Sequence, residues 1–258
     1  GPPGAIVAQA TRLTVRYNAL VALHGVDFTV RTGEIVALMG RNGAGKSTLL
    51  RALTGLAVPA GGSARLAGDS DPRRLRPQQL IRHVGFVPQQ PGDLLYAHTV
   101  QAECHAADRE SGAEPGTTAA LLRSIAGEID HTLHPRDLSE GQRLALALAV
   151  VLAAAPPLVL LDEPTRGLDY PAKARLVEAL RDLAGHGHAI VLATHDVELA
   201  AELSHRTVVL AGGEVVADGP SRDVVTHSPV FAPQVAKVLA PLPYLTVSDV
   251  RRSLAAAP

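Results

Sequence analysis

Residues 40–48, read as Gly-Arg-Asn-Gly-Ala-Gly-Lys-Ser-Thr, fit the phosphate-loop pattern G-x-x-x-x-G-K-[ST] without a mismatch. The motif needs a strand before it and a helix after it, and both are legible. Glu34-Ile35-Val36-Ala37-Leu38-Met39 is a short apolar run suited to a buried parallel strand, and residues 46–53 read as a helix stopped by Gly55. Gly40, Gly43 and Gly45 lack Cβ atoms, so backbone N–H groups can turn inward on a phosphate while the helix N-terminus adds partial positive charge. Lys46 would reach the β- and γ-phosphates, Ser47 would place its hydroxyl on Mg²⁺, and Asn42, Ala44 and Thr48 belong to the same cradle. A nucleoside triphosphate is the expected ligand.

The 258 residues suffice for one large domain or two small ones, and a hydrophobic fraction of 47% can fill a sizeable core. A net charge of −1 supplies no global basic field, so nucleic acid is not an expected partner. The one cysteine, Cys104, cannot close an internal disulfide or a zinc cluster, which fits a reducing compartment, and it reads as a packed thiol. The richest apolar run, residues 144–157, is too short to span a bilayer. No basic-then-apolar secretory signal opens the chain, and Met39 is the only methionine, so the natural polypeptide is expected to extend upstream of Gly1-Pro2.

Residues 5–17 and 26–31 alternate apolar and polar positions, as half-buried antiparallel strands do. Gly61-Gly62 reads as a turn into a strand over 63–66, and residues 83–87 make another short strand ended by Pro88. From 92 to 155 the composition shifts to Ala and Leu at helical spacing, the mark of an inserted helical subdomain. Strands at 158–162 and 189–194 enclose a helix over 171–183, a β-α-β crossover of a parallel sheet. Residues 206–210, the Gly212-Gly213 turn and 214–217 form a hairpin closed by Asp218-Gly219-Pro220. The domain expected from these signals is 5–218, with a nucleotide-binding α/β core and β subdomain from 5–90 and 156–218, and helices from 91–155. A proline-bearing extension follows over 219–258, with a possible last helix at 245–254.

Leu138-Ser139-Glu140-Gly141-Gln142 leads into an apolar helix, and Ser139 with Gln142 three residues on reads as a capping box that presents a helix N-terminus to solvent. Taken alone it is equally an ordinary cap. After a phosphate loop, it resembles the signature sequence of the ATP-binding-cassette (ABC) ATPases, usually Leu-Ser-Gly-Gly-Gln. Leu158-Val159-Leu160-Leu161-Asp162-Glu163 is a Walker B pattern, an apolar strand delivering two carboxylates at its C-terminal end. Asp162 would hold Mg²⁺, directly or through water, and Glu163 would polarise the attacking water. The resemblance implies an α/β, P-loop NTPase fold with a RecA-like parallel sheet core, an antiparallel β subdomain and an inserted α-helical subdomain. Residue by residue it also implies that Gln89, preferred over Gln90 after Phe86-Val87-Pro88, senses Mg²⁺ and water, and that His195 contacts the γ-phosphate. Asp169, after Pro164-Thr165-Arg166-Gly167-Leu168, is then expected at a subunit interface, and Tyr17 against adenine, with core packing its rival. His131 and His134 lack partners for a metal, and Arg73, Arg74 and Arg76 read as a charged surface turn.

The residues around the last carboxylates (162–169), the signature and the tail Phe231-Ala232-Pro233-Gln234-Val235-Ala236-Lys237-Val238-Leu239 resemble the ATPases of energy-coupling-factor (ECF) vitamin and metal-ion importers. Glu140 in place of the commoner glycine and Arg166-Gly167 in place of Ser-Ala depart from the pattern, at positions that bear on ATP affinity or partner choice. The resemblance implies a pair of cassettes, equal or unequal, closing on ATP between one phosphate loop and the other signature; this chain would be the second cassette of a tandem ATPase. It implies too a transmembrane coupling subunit and a membrane substrate-binding subunit, with the chain peripheral on the cytoplasmic face of the cell membrane. Leu94, Leu95 and Tyr96 are candidates for the docking groove, with core packing the equal alternative. Other ABC transporter classes, a soluble ABC ATPase of repair or translation, and a non-hydrolysing cassette are the rivals; the last would be expected to lack Glu163 or His195.

Overall fold

The computed structural model describes residues 4–227 and Asp249. Its larger sheet has the order β5-β6-β7-β3-β8-β9, built from β3 (Ile35–Met39), β5 (Val84–Val87), β6 (Leu158–Asp162), β7 (Ala189–Thr194), β8 (Arg206–Ala211) and β9 (Glu214–Pro220). All neighbours are parallel except the β8–β9 hairpin at one edge. A second, antiparallel sheet orders β2-β1-β4, from β1 (Ile6–Tyr17), β2 (Leu20–Arg31) and β4 (Pro59–Leu66).

The period of two along each strand distributes the core. Leu158, Leu160, Val191, Ala193, Val36 and Leu38 face one way, onto α1 (Lys46–Leu53) and the inner face of the antiparallel sheet, with Leu80 of the one-turn α2 (Pro77–Leu80) packed against the same core. Val159, Leu161, Ile190, Leu192 and Ile35 face the other, onto α5 (Glu140–Leu152), α6 (Tyr170–Gly185) and α7 (Val197–Leu203). Strands covered on both faces read as continuous apolar runs, which is why β3, β6 and β7 were legible. The helix α5 serves two cores at once: Leu144, Ala147, Leu148 and Leu152 pack on the sheet, while Ala145, Leu146 and Ala149 pack on α3 (Val100–Ser111) and α4 (Thr117–Ala126). Cys104 lies in that second core, a buried free thiol whose pKa burial pushes up to about 11, as the packed-thiol reading requires.

The α/β class, the crossover β6-α6-β7 and the helical insertion match expectation. Several boundaries do not. Gly61 and Gly62 form no turn but lie inside β4, opposite a bulge where β1 inserts one extra residue between the pairs Thr11↔Ser63 and Thr14↔Gly61. Gly62 sits at φ +69°, and a Cβ there would run into the carbonyl oxygens of Thr11 and Arg12, so the glycine serves close strand approach rather than reversal. β2 begins at Leu20 instead of 26, because Asn18 at φ 53° turns the chain directly after Tyr17. β9 runs on to Pro220, which an edge strand tolerates. Beyond it α8 (Ser221–His227) buries Ser221 and Val225, so packing continues past the expected limit at 218. The tail at 231–239 and the helix expected over 245–254 lie outside the described residues, Asp249 excepted.

Asp108 anchors the helical insertion. Its buried carboxylate accepts from Gly116 N–H (2.7 Å), Thr118 N–H (2.8 Å) and the Thr118 hydroxyl, tying α3 to the start of α4. Burial alone would raise its pKa, but the Thr118 and Gly116 hydrogen bonds win and hold it below the usual carboxylate value. A depressed folded-state pKa contributes stability above the unfolded value that is lost as pH falls through the folded one. Asp108→Ala leaves two amides and a hydroxyl unpaired and is expected to destabilise by about 1–3 kcal/mol. The gap between the melting temperatures of parent and variant should be largest at neutral pH and narrow in acid, as the parent's carboxylate is protonated; a gap that does not narrow would contradict this account.

Candidate active site

The phosphate loop leaves the C-terminal end of β3 and enters α1, with β6 and β7 delivering their last residues beside it. An open cleft of about 680 Å³ runs over the loop, walled by Asn42, Gly43, Ala44, Gly45, Lys46, Ser47 and Thr48 and by Tyr17, Gln89, Asp162 and Glu163. Gly45, at φ +106°, must be glycine: a Cβ would stand 2.7 Å from both the Ala22 carbonyl oxygen and Leu23 Cδ2. Lys46 is buried, 6% exposed, and its Nζ donates to the Gly40 carbonyl at 2.8 Å. Gly40 itself is outside the cleft wall and acts through that carbonyl.

Lys46 Nζ also lies 3.6 Å from Glu163 Oε1, and His195 Nδ1 lies 2.7 Å from Glu163 Oε2. The carboxylate is thus held from both sides. Glu163 occupies φ 51°, unusual for a residue with a side chain, and its N–H donates to the Ala193 carbonyl at 2.7 Å, locking the turn after β6 to β7. Its neighbour Asp162 is 6% exposed, and burial pushes its carboxyl above the ordinary range, against the Ser47 hydroxyl and with the Glu163 charge adding to the rise. Asp162 Oδ1 is buried with no hydrogen-bond partner. An orphaned buried carboxylate oxygen asks for a cation or a water. Next to His195, Asp196 caps α7 through the Leu199 N–H at 3.0 Å and pairs with Lys173 at 2.8 Å; burial would raise its pKa, but Lys173 and the backbone N–H groups hold it low.

Tyr17 is 43% exposed on the cleft wall, so of its two readings core packing is excluded. Gln89 lines this cleft and also a second one of about 710 Å³, which Gln90 lines alone of the two openings. Ser139 and Gln142 form both bonds of a capping box, 3.3 Å and 3.1 Å, at the head of α5. Ser139, Gly141 and Gln142 are nevertheless outside the phosphate-loop cleft, as is Asp169, whose carboxylate caps α6 through the Ala172 N–H at 2.8 Å. One chain therefore assembles the phosphate loop, Asp162, Glu163, His195, Gln89 and Tyr17, and leaves the signature elsewhere. The walls missed by sequence reasoning are Leu20, Val21, Ala22, His24 and the Gly212-Gly213 turn. A Cβ on Gly213 would meet the Ala22 oxygen at 2.8 Å, a closeness created by β8 pairing with β3 and carrying no local signal.

A protein-family model described as "ABC transporter" matches residues 23–166, from the β2 wall through the phosphate loop and signature to Glu163. The chain belongs to the ABC transporter family. The "Putative ABC transporter ATP-binding protein" of Streptomyces avermitilis is 66% identical over 249 residues, covering 96% of this chain and 44% of the relative. This ABC cassette thus spans less than half the length of that relative. Among solved structures, cbiO1 from Clostridium perfringens, part of the ABC transporter complex cbiONQ, superposes with a TM-score of 0.75 at 26% identity over 92% of this chain and 96% of that one. A dimeric ATP-binding cassette in a post-hydrolysis state, bound to ADP and Pi, gives 0.73 at 27% identity over 83% and 98%. The fold is that of the ABC ATPases. Among the described residues no helix is long and apolar enough to cross a membrane.

Proposed function

We propose that this cassette powers an ECF importer for a vitamin or a metal ion from the cytoplasmic face of the cell membrane. Glu163, braced between Lys46 and His195 beside the orphaned oxygen of Asp162, is the observation that carries the catalytic part. In the proposed reaction Lys46 turns from Glu163 to the β- and γ-phosphates. Glu163 Oε1 is then free to accept a proton from the attacking water, while His195 keeps Oε2 oriented. The loop N–H groups and Gln89 position phosphate and water, and Tyr17 stacks on the base.

Mg²⁺ fits this donor set. The described residues contain no cluster of three or more His, Cys, Asp or Glu that would cage a metal unaided. One hydroxyl, one buried carboxylate and the substrate phosphates are what this ion uses, so Ser47 and Asp162 would hold it, with Gln89 near. The chemistry it supplies when bound is neutralisation of phosphate charge.

Because Ser139, Gly141, Gln142 and Asp169 stand away from the phosphate loop, we assign them to the ATP of a second cassette. Light scattering tests this. Glu163→Gln protein should dimerise when ATP and Mg²⁺ are added, alone or with a second cassette, and Ser139→Arg should remove the dimer while the monomer still binds ATP.

An apolar groove of about 640 Å³ lies between the sheet edge and the helical insertion, with Leu56 69% and Tyr96 84% exposed on its rim. Leu94 and Tyr96 line it, Leu94 also packing against the sheet core; Leu95 is outside the groove wall and packs, partly buried, against the core. We assign the groove to a helix of the transmembrane coupling subunit. Purification of the natural protein from membranes should bring down that subunit with a small substrate-binding membrane protein, and recovery with membrane domains of another transporter class would reject the ECF assignment. Tyr17→Ala should weaken ATP and GTP alike by about 5- to 150-fold, the loss of one stacking contact of ~1–3 kcal/mol. Unchanged affinity in a nucleotide titration would remove Tyr17 from the site.

A further inference from the structure

The signature end of α5 does not stand free. Arg143 pins the loop before it, with Nε donating to the Pro135 carbonyl (3.3 Å), Nη2 to those of Arg136 and Leu138 (2.9 and 2.8 Å), and Nη1 to Glu140 Oε1 (2.8 Å). Its other support is the first turn of α6. A Cβ built on Gly141 would lie 2.8 Å from the Ala172 Cβ and 3.9 Å from Leu168 Cδ2, and one on Gly167 would lie 3.4 Å from Glu140 Cγ. Carbon atoms rest at about 3.5–4.0 Å, so even one added methyl at 141 must part the two helix ends by roughly 0.7 Å. The same Ala172 whose N–H is capped by Asp169 therefore sets, with its methyl, the height at which the signature is held.

We propose that Ala172 is a positioning residue for the signature. It makes residues 139–142 and 167–172 one interlocked unit that is presented together to the partner's nucleotide. On this account Gly141 is glycine because it rests on Ala172, and not only to admit a phosphate. The inference builds on the assignment of the signature to a second cassette's ATP, and it deepens that reading by naming what holds the signature in place.

The test is a cycle of Gly141→Ala, Ala172→Gly and the double variant in the full chain, with Ala172→Val as a fourth arm. Each is read by thermal melting, by ATP binding to the monomer and by ATP hydrolysis at a concentration where the parent turns over. Sub-ångström misplacement of a positioned group lowers rates steeply, so Gly141→Ala should lose about tenfold or more in hydrolysis, with binding within about twofold of the parent. Ala172→Gly in the double variant should recover most of that loss, because removing the facing methyl restores the contact. Ala172→Val, which leaves the glycine intact, should mimic Gly141→Ala and keep ATP binding. A double variant no faster than Gly141→Ala, or an Ala172→Val protein with parental turnover, overturns the inference. If Gly141→Ala or the double variant fails to fold, Ala172→Val decides alone. Failure of the underlying reading shows separately: the parent's rate per chain would not rise with its own or a second cassette's concentration.

Discussion

Glu163→Gln protein is expected to bind ATP and to hydrolyse it about 10²–10⁴-fold more slowly, the range lost when a positioned general base is removed. The substitution keeps shape and one acceptor oxygen but removes the charge that a proton from water would neutralise. It also relieves the buried contact of that charge with Lys46 at 3.6 Å, so the lysine is freer to meet the phosphates and binding should be at least as tight. Near-parental turnover, measured as phosphate release per chain, would take the proton-accepting role away from Glu163. Loss of binding would instead mean that the carboxylate shapes the loop. Substituting Glu178, an exposed acid on α6 that does not line the cleft, controls for charge alone.

Lys46→Ala should abolish ATP binding or weaken it by roughly 10²–10³-fold. A charge-assisted hydrogen bond contributes about 1.5–3 kcal/mol, and this ammonium is positioned to make more than one with the β/γ-phosphates. It is 6% exposed, and among the described residues that wall the cleft it is the only Lys or Arg, so no other fixed cation of the wall stands ready to replace it. Fluorescent-nucleotide titration of a variant shown by circular dichroism to be folded checks this. Binding within a few-fold of the parent would mean that loop N–H groups carry the affinity unaided.

Much of this protein is written in short stretches. The phosphate loop, Walker B strand and capping box are local: their chemistry is set by residues within a few positions, and the buried parallel strands announce themselves because both faces must be apolar. For that reason residues 40–48, Asp162, Glu163 and the Ser139–Gln142 bonds are identifiable from the sequence alone. The glycine pair at 61–62 misled because a bulge and a turn use the same residue for different ends; only the partner strand distinguishes them.

What the tertiary structure alone decided is which local signals meet. His195 follows β7 and Glu163 follows β6, and their 2.7 Å contact exists because those strands are neighbours in the sheet. Gly212-Gly213 joins the cleft because β8 pairs with β3. Ala172 reaches Gly141 because α5 and α6 cover the same face of the sheet. Tyr17 could have been core or cleft by its alternation, since a period of two names two faces but not what lies over either. By itself the sequence determined the chemistry that each stretch can perform; sheet order, set by long-range burial with no sequence-local signature, decided which of those chemistries share a site and which are turned outward.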